Sequence, residues 1–254
     1  MNRIEIIRHL EEKYPPELAY EWDNVGLMVG SLNKRVRRVL LTLDVTKDVV
    51  KEAIDKKIDL IVSHHPFIFS PITAIKTETP KGWIIEKLIK KGITVYSAHT
   101  NFDQAEGGMN DVLARALGLK HTRLLDIEDN IGRIGEIKAM TCDDFAAHVK
   151  KALDIDHIRI INQKTSMIER VAISGGSGTK HMYAAKMKRA DVFLTGDVDY
   201  HSAVDAKEMG LSMMDIGHVS EKIFKTHLKK ELDERFPDCE ILLSDIEENP
   251  FEIR

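Results

Sequence analysis

Three features of this sequence predict an α/β fold made of two similar, interlaced α/β lobes. The first is an internal echo. The segments VRRVLLTLD (36–44), TKDVVKEAIDKKI (46–58) and DLIVSHHP (59–66) are followed later by IERVAISGG (168–176), SGTKHMYAAKMKRA (177–190) and DVFLTGDV (191–198). Val39 matches Val171 and Asp59 matches Asp191, an offset of 132 at both places with no gap. The second is periodicity: each copy reads as an apolar, β-rich run, a stretch of helical period and a second apolar run. The third is a further pair, GITVYSAHTN (92–101) and GLSMMDIGHVS (210–220). In both, a glycine ends a helix, a strand follows and a histidine stands at its carboxyl end. Duplication of one α/β unit accounts for all three features. It predicts a first lobe from residues 1–125 and 220–254 and a second from 126–219, with strand ends facing a shared cleft, where open α/β sheets place their chemistry.

The remaining elements follow in order. Residues 2–13 predict an amphipathic helix with Ile4, Ile7 and Leu10 on one side, stopped by Pro15-Pro16. Helices are expected over 83–91, ending at Gly92, over 109–117, ending at Gly118, and over 141–153. A long helix over 220–236 keeps Ile223, Phe224, His227, Leu228 and Leu232 at helical spacing. No Pro/Gly/Ser-rich linker separates the lobes, so the division near residue 125 rests on the repeat.

Composition narrows the function. With 37 basic and 41 acidic side chains the net charge is -4, which gives no electrostatic grip on nucleic acid or anionic membrane. The basic run KRVRR (34–38) flanks a strand. Cys142 and Cys239 form no CxxC, which supports neither a disulfide framework nor a thiolate zinc site and suits a reducing cytosol. The charged N-terminal segment has no apolar core of a signal peptide, and no stretch approaches the ~20 apolar residues of a membrane helix. The expectation is a cytoplasmic protein.

Chemistry is concentrated at three strand ends. His64 and His65 follow Leu60-Ile61-Val62; neighbours on a strand point to opposite sides, so the pair can offer one nitrogen to each of two ions. AHTNFD (98–103) brings His99 and Asp103 to the end of the next strand. GHVSE (217–221) sets His218 and Glu221 three apart, on one face if a helix begins there. A carboxylate can bridge two cations, and imidazole suits zinc, iron, nickel or copper. Together the blocks predict a dinuclear metal site in the cleft between the lobes. Asp197 falls at the offset position of His65; with Asp199 and His201 it is expected near the cleft as a group supporting the ligands or touching substrate, and Asp23-Asn24 form a further wall. GGSGTK (175–180) lacks the spacing of a phosphate loop, though its amides could hold an anion or simply form a tight turn.

These blocks resemble a known family. DNVGLMVG (23–30), SHHPFIF (63–69), AHTNFDQAEGGMN (98–110), GGSG (175–178), TGD (195–197) with His201, and GHVSE (217–221) look like the blocks of the NIF-three-like proteins, also labelled GTP cyclohydrolase I type 2 homologues, in the same order over nearly the whole chain. The resemblance implies two metals bound by His64, His65, Asp103, His218 and Glu221 with His99 close by, two similar lobes and a homohexameric ring. The chain departs from the pattern in one respect: it has no room for the extra domain inserted in longer members. No arginine cluster of the kind a nucleoside triphosphate calls for stands beside these blocks.

Two functions are in competition. A metal-dependent hydrolase of a small-molecule substrate, possible for nucleotides or phosphoesters, would use two divalent ions (Zn, Mn, Fe, Ni or Mg), with His99 as candidate catalytic acid or base. A non-catalytic protein would buffer metal, deliver it or use it structurally. Five ligands shared by two ions leave positions for water, which favours the hydrolase.

Overall fold

The computed structural model describes residues 1–163, 166–246 and 249–251. In chain order, the first stretch holds α1 (Arg3–Lys13), β1 (Gly26–Val29), β2 (Arg38–Thr42), α2 (Lys47–Asp55), β3 (Leu60–Ser63), α3 (Pro80–Lys91), β4 (Thr94–Ser97) and α4 (Thr100–Gln104). There follow α5 (Met109–Ala116), β5 (Lys120–Asp126), β6 (Ile131–Thr141), α6 (Cys142–Leu153), β7 (Arg159–Ile161), β8 (Met167–Ile173), α7 (Met182–Met187), β9 (Val192–Thr195), α8 (Tyr200–Met209) and β10 (Met213–Asp215). The chain closes with α9 (Ile223–Arg235) and β11 (Glu240–Leu243).

Two compact units result, Met1–Ala105 with Phe224–Arg254, and Glu106–Ile223. The first break lies ahead of residue 125, where the repeat alone had suggested it, because α5 and β5 belong to the second sheet: β5 pairs with β6, and Asp111 on α5 takes both Nε and Nη2 of Arg133 on β6, at 2.6 and 2.8 Å. The sheet of the first unit runs β1-β4-β3-β2-β11 and that of the second β5-β6-β8-β9-β10-β7.

The strand–helix–strand segments 36–66 and 168–198 have one topology and one register. β2 and β3 are parallel with Val39 opposite Leu60, and β8 and β9 are parallel with Val171 opposite Val192, each residue moved by the same 132 positions. A side-chain clasp is repeated too. Asp59 Oδ2 accepts the amides of Arg37 and Arg38 at 2.8 and 3.2 Å, and Asp191 Oδ2 those of Glu169 and Arg170 at 3.0 and 2.7 Å. In each sheet a third parallel strand follows, β4 beside β3 and β10 beside β9, and an antiparallel strand covers it, β1 or β7. The sheets differ beyond: β11 joins β2 in parallel, whereas β6 joins β8 antiparallel.

Local chemistry explains the element bounds. α3 starts at Pro80, earlier than apolar spacing suggests, since proline suits the first helical position and the Thr79 hydroxyl accepts the Gly82 amide. The helix expected over 220–236 is in two parts, a tight 3-10 turn at His218–Lys222 and then α9. Each sheet buries an apolar core. In the first unit Leu40, Ile61 and Val95 pack with Val50, Ala53 and Leu88; in the second Ala172, Phe193 and Met213 pack with Met182, Ala185 and Ala206. No helix among the described residues is long and apolar enough to cross a membrane.

Helices α1 and α9 are joined by a polar knot. Glu231 accepts from His9 Nε2 at 2.9 Å, Lys13 Nζ at 2.6 Å and Tyr14 Oη at 2.7 Å. Burial, the largest influence, pushes the Glu231 carboxyl up, but Lys13, Tyr14 and His9 together hold it below its usual value. A depressed folded-state value means stabilisation that is complete above the unfolded value of 4.5 and is lost as pH falls through the folded one. Glu231→Ala strands three donors and is expected to cost about 2 kcal/mol. Thermal melts at pH 7 should show Tm lower by about 4–8 °C, with the gap closing in acid.

Candidate metal centre

In the first unit, the parallel ladder carries past β3: the amides of His64 and His65 donate to the carbonyls of Thr42 and Leu43 at 3.2 and 3.0 Å. That fixes both histidines at the carboxyl edge of the sheet. His64 is fully buried, its ring 5.2 Å from that of Phe224. Its Nδ1 lies 2.8 Å from the Ala98 carbonyl, His65 Nδ1 lies 3.0 Å from Asp44 Oδ1, and His99 Nδ1 lies 2.9 and 3.0 Å from the two oxygens of Asp23. Carbonyl and carboxylate oxygens only accept, so in each ring Nδ1 carries the proton and donates it, and the neutral ring has its lone pair on Nε2. Such outer bonds are how metal-ligating histidines are oriented. The ligand atoms that His64, His65 and His99 offer lie within 4.8 Å of one another. Asp103, on α4 one turn from His99, sets Oδ1 3.5 Å from His64 Nε2.

Asp23 is bound by more than His99. Its Oδ2 also accepts from the Thr100 amide at 3.1 Å and hydroxyl at 2.6 Å. Burial pushes the carboxyl up, yet the bonds from His99 and Thr100 outweigh it and hold the pKa at about 2. The neighbouring Asn24 donates through Nδ2 to the Ile68 carbonyl, joining the loop after α1 to the loop after His65.

In the second unit, Gly217 with φ 69° turns the chain out of β10 into the 3-10 turn. Residues three apart eclipse in a 3-10 turn, and His218 Nε2 accordingly stands 3.0 Å from Glu221 Oε2. His218 Nδ1 donates to Asp197 Oδ2 at 2.6 Å. Glu221 is only 1% exposed. The glycine loop after β8 makes room for it: a Cβ at Gly175 or Gly176 would come within 3.2 or 3.0 Å of Glu221 Oε1. Two of the loop's amides are engaged within the unit, Gly175 N with Asn110 Oδ1 at 3.0 Å and Gly178 N with Thr195 Oγ1 at 2.9 Å. The loop thus packs its Cβ-free face on the Glu221 carboxylate.

Both Nε2–carboxylate pairs share a logic. A nitrogen lone pair facing a carboxylate oxygen is repulsive unless a proton or a cation lies between them. Imidazole and carboxylate together are the donor set of zinc and related divalent ions. These residues fit a metal.

Other residues singled out by sequence are placed differently. Asp199 caps α8 through the amides of His201 and Ser202, and the exposed His201 ring rests against Tyr200. The bonds they make serve α8 rather than His218 or Glu221. Asp44, whose Oδ1 meets His65 Nδ1 at 3.0 Å, is a neighbour of the histidines that the motifs do not single out; its place just past the end of β2, beside β3, is the available signal. Asp126, Asp129 and His181 form another group able to hold an ion, with His181 Nδ1 2.9 Å from Asp126 and Lys180 Nζ already 2.7 Å from Asp129.

Residues 1–250 match the family described as Duf34/NIF3 (NGG1p interacting factor 3). A Clostridium perfringens protein named GTP cyclohydrolase 1 type 2 homolog is 39% identical over 268 aligned positions, which cover 99% of each chain. A Bacillus subtilis protein of the same name is 31% identical over 367 positions, covering 99% of this chain and 98% of the relative, so that alignment carries long gaps in the shorter chain. The crystal structure of a Bacillus cereus protein related to NIF3 superposes with a TM-score of 0.94 at 32% identity, covering 100% of this chain and 99% of that one.

Proposed function

Because the chain belongs to the Duf34/NIF3 family, we propose that it binds two divalent metal ions through His64, His65, Asp103, His218 and Glu221 and hydrolyses a small-molecule substrate at them. The observation that carries this reading is the common orientation of His64, His65 and His218. Each commits Nδ1 to a carbonyl or carboxylate and keeps Nε2 for the site, where His64 and His218 each meet a carboxylate. Packing alone gives no reason to aim imidazole lone pairs at buried acids.

Divalent ions so held supply Lewis-acid polarisation and acidify water. The chain's own residues do the rest. His64 and His65 would each hold a different ion, and the two oxygens of Glu221 would serve both. His99 moves protons at Nε2, held in place by Asp23 through Nδ1. Asp197 and Asp44 orient His218 and His65. Zinc, manganese, iron, nickel and magnesium are the candidate ions; the family resemblance implies a homohexameric ring, and the cysteine usage suits the cytoplasm.

Metal analysis tests the centre. Protein purified without chelator and soaked in Mn or Zn should hold close to two ions per chain. A value of one, with His64 and His65 both unligated, would sink the dinuclear reading. A screen of phosphoesters, cyclic nucleotides and nucleoside triphosphates with each metal then tests the hydrolase; no turnover with any pair favours metal delivery instead.

A further inference from the structure

Beside the histidines of the first unit lies a group of aromatic rings that no step above uses. Trp22 is 58% exposed and Phe69 49% exposed, although water contact on so large an apolar surface is unfavourable. Tyr20 stacks on Trp22 with centroids 5.3 Å apart and planes 20° from parallel, and Phe69 is 5.9 Å from Trp22. The indole stands 6.4 Å from the His99 ring, edge to face.

These rings are held by the same residues that hold the site. Asp23, next to Trp22, is fixed by His99 and Thr100. Asn24 ties its loop to Ile68, next to Phe69, in the loop that follows His65. Each loop thus carries a metal-site residue or its support together with an exposed aromatic ring.

We propose that Trp22, backed by Tyr20 and flanked by Phe69, is the stacking platform for a planar heteroaromatic ring of the substrate. The inference rests on the hydrolase reading of the metal centre and gives it a substrate class: a heteroaromatic ring bearing a hydrolysable group. Tyr20, Trp22 and Phe69 carry no charge, so they recognise a π-face and not a phosphate. A ring stacked on the indole lies beside the His99 imidazole, and a substituent on it reaches the histidines. Stacking is tolerant of ring identity because every base has a π-face, so the platform selects for planarity.

Trp22 and Trp83 are the two tryptophans of the chain, so Trp83→Phe leaves Trp22 as the fluorescent reporter. Metal-loaded protein of this background is titrated with the 5′-monophosphates of adenosine and guanosine and with ribose 5-phosphate, which lacks the ring. Both nucleotides should quench Trp22 and bind more tightly than ribose 5-phosphate. By calorimetry, Trp22→Ala should weaken them between about 5-fold and 150-fold, leave ribose 5-phosphate unchanged, and be largely rescued by Trp22→Tyr. Nucleotides that bind no better than ribose 5-phosphate, or an unchanged affinity in Trp22→Ala, overturn the platform. So does Trp22 emission that varies with protein concentration alone, which would place a second copy on the rings. Metal content separates the two readings: Trp22→Ala holding two ions per chain with unaltered nucleotide affinity sinks only the platform, whereas a parent protein short of two ions sinks the metal centre.

Discussion

Glu221→Ala is expected to remove both metal ions together, weakening each by more than about 100-fold, beyond the 10–100-fold typical of losing an outer-shell partner. Glu221 is buried, three residues from His218 on a 3-10 turn, with Nε2 and Oε2 3.0 Å apart. In the proposed centre its charge would make two nearby cations tolerable to each other, so its loss would be felt by both. His64→Ala and His65→Ala should each lose mainly one ion, because each offers a single nitrogen. Metal content by plasma mass spectrometry, with melts in chelator as a second readout, decides the matter. In the parent, ions at 100 times their Kd stabilise by about 2.7 kcal/mol, so a chelator should lower Tm there and leave Glu221→Ala unmoved. A variant that keeps two ions would show that Glu221 is not the bridge.

His99→Ala should have the opposite profile: metal content near normal and hydrolysis reduced by about 10²–10⁴-fold, the range for a positioned acid or base. Asp103 already gives this strand end a carboxylate aimed at His64 Nε2, so coordination there does not require His99. Asp23 holds the His99 ring across the working pH range. With its carboxyl held at about 2 against an unfolded 3.8, the contribution of the Asp23–His99 bond is complete above 3.8 and lost only as pH falls through about 2. An acid limb in the rate profile near neutrality would therefore not be the ionisation of Asp23, and Asp23→Asn should lower the rate by loosening the His99 ring. If His99→Ala strips metal as fully as Glu221→Ala does, His99 is a ligand and its proton-transfer role is wrong.

Much of this arrangement is legible in the chain itself. The ungapped match of Val39 with Val171 and Asp59 with Asp191 reports a shared parallel register, since side-chain period and strand pairing leave no room for a one-residue slip. His64, His65, His99 and His218 are visible because imidazoles at the ends of apolar runs are hard to explain by packing. The supports are less visible. Ala98 orients His64 through a backbone carbonyl, which no side-chain motif can report, and Asp44 is brought to His65 only by the pairing of β2 with β3. Gly176 reads as a turn residue, yet its lack of a Cβ is also what leaves space for Glu221. The boundary near 105 was hidden because α5 and β5 precede the second copy of the repeat and join its sheet only through β6.

The interlaced order of the chain also sets a timetable for synthesis. β2 finds β3 within some twenty residues, but its other edge is covered by β11, which is made after the entire second unit. At ribosomal rates of about 5–20 residues per second, the stretch from Thr42 to Glu240 keeps that edge waiting roughly 10–40 s for its partner. The second unit is continuous in sequence and can complete its sheet first. During the interval the nascent first unit shows an open, apolar strand edge of the kind that pairs with other chains.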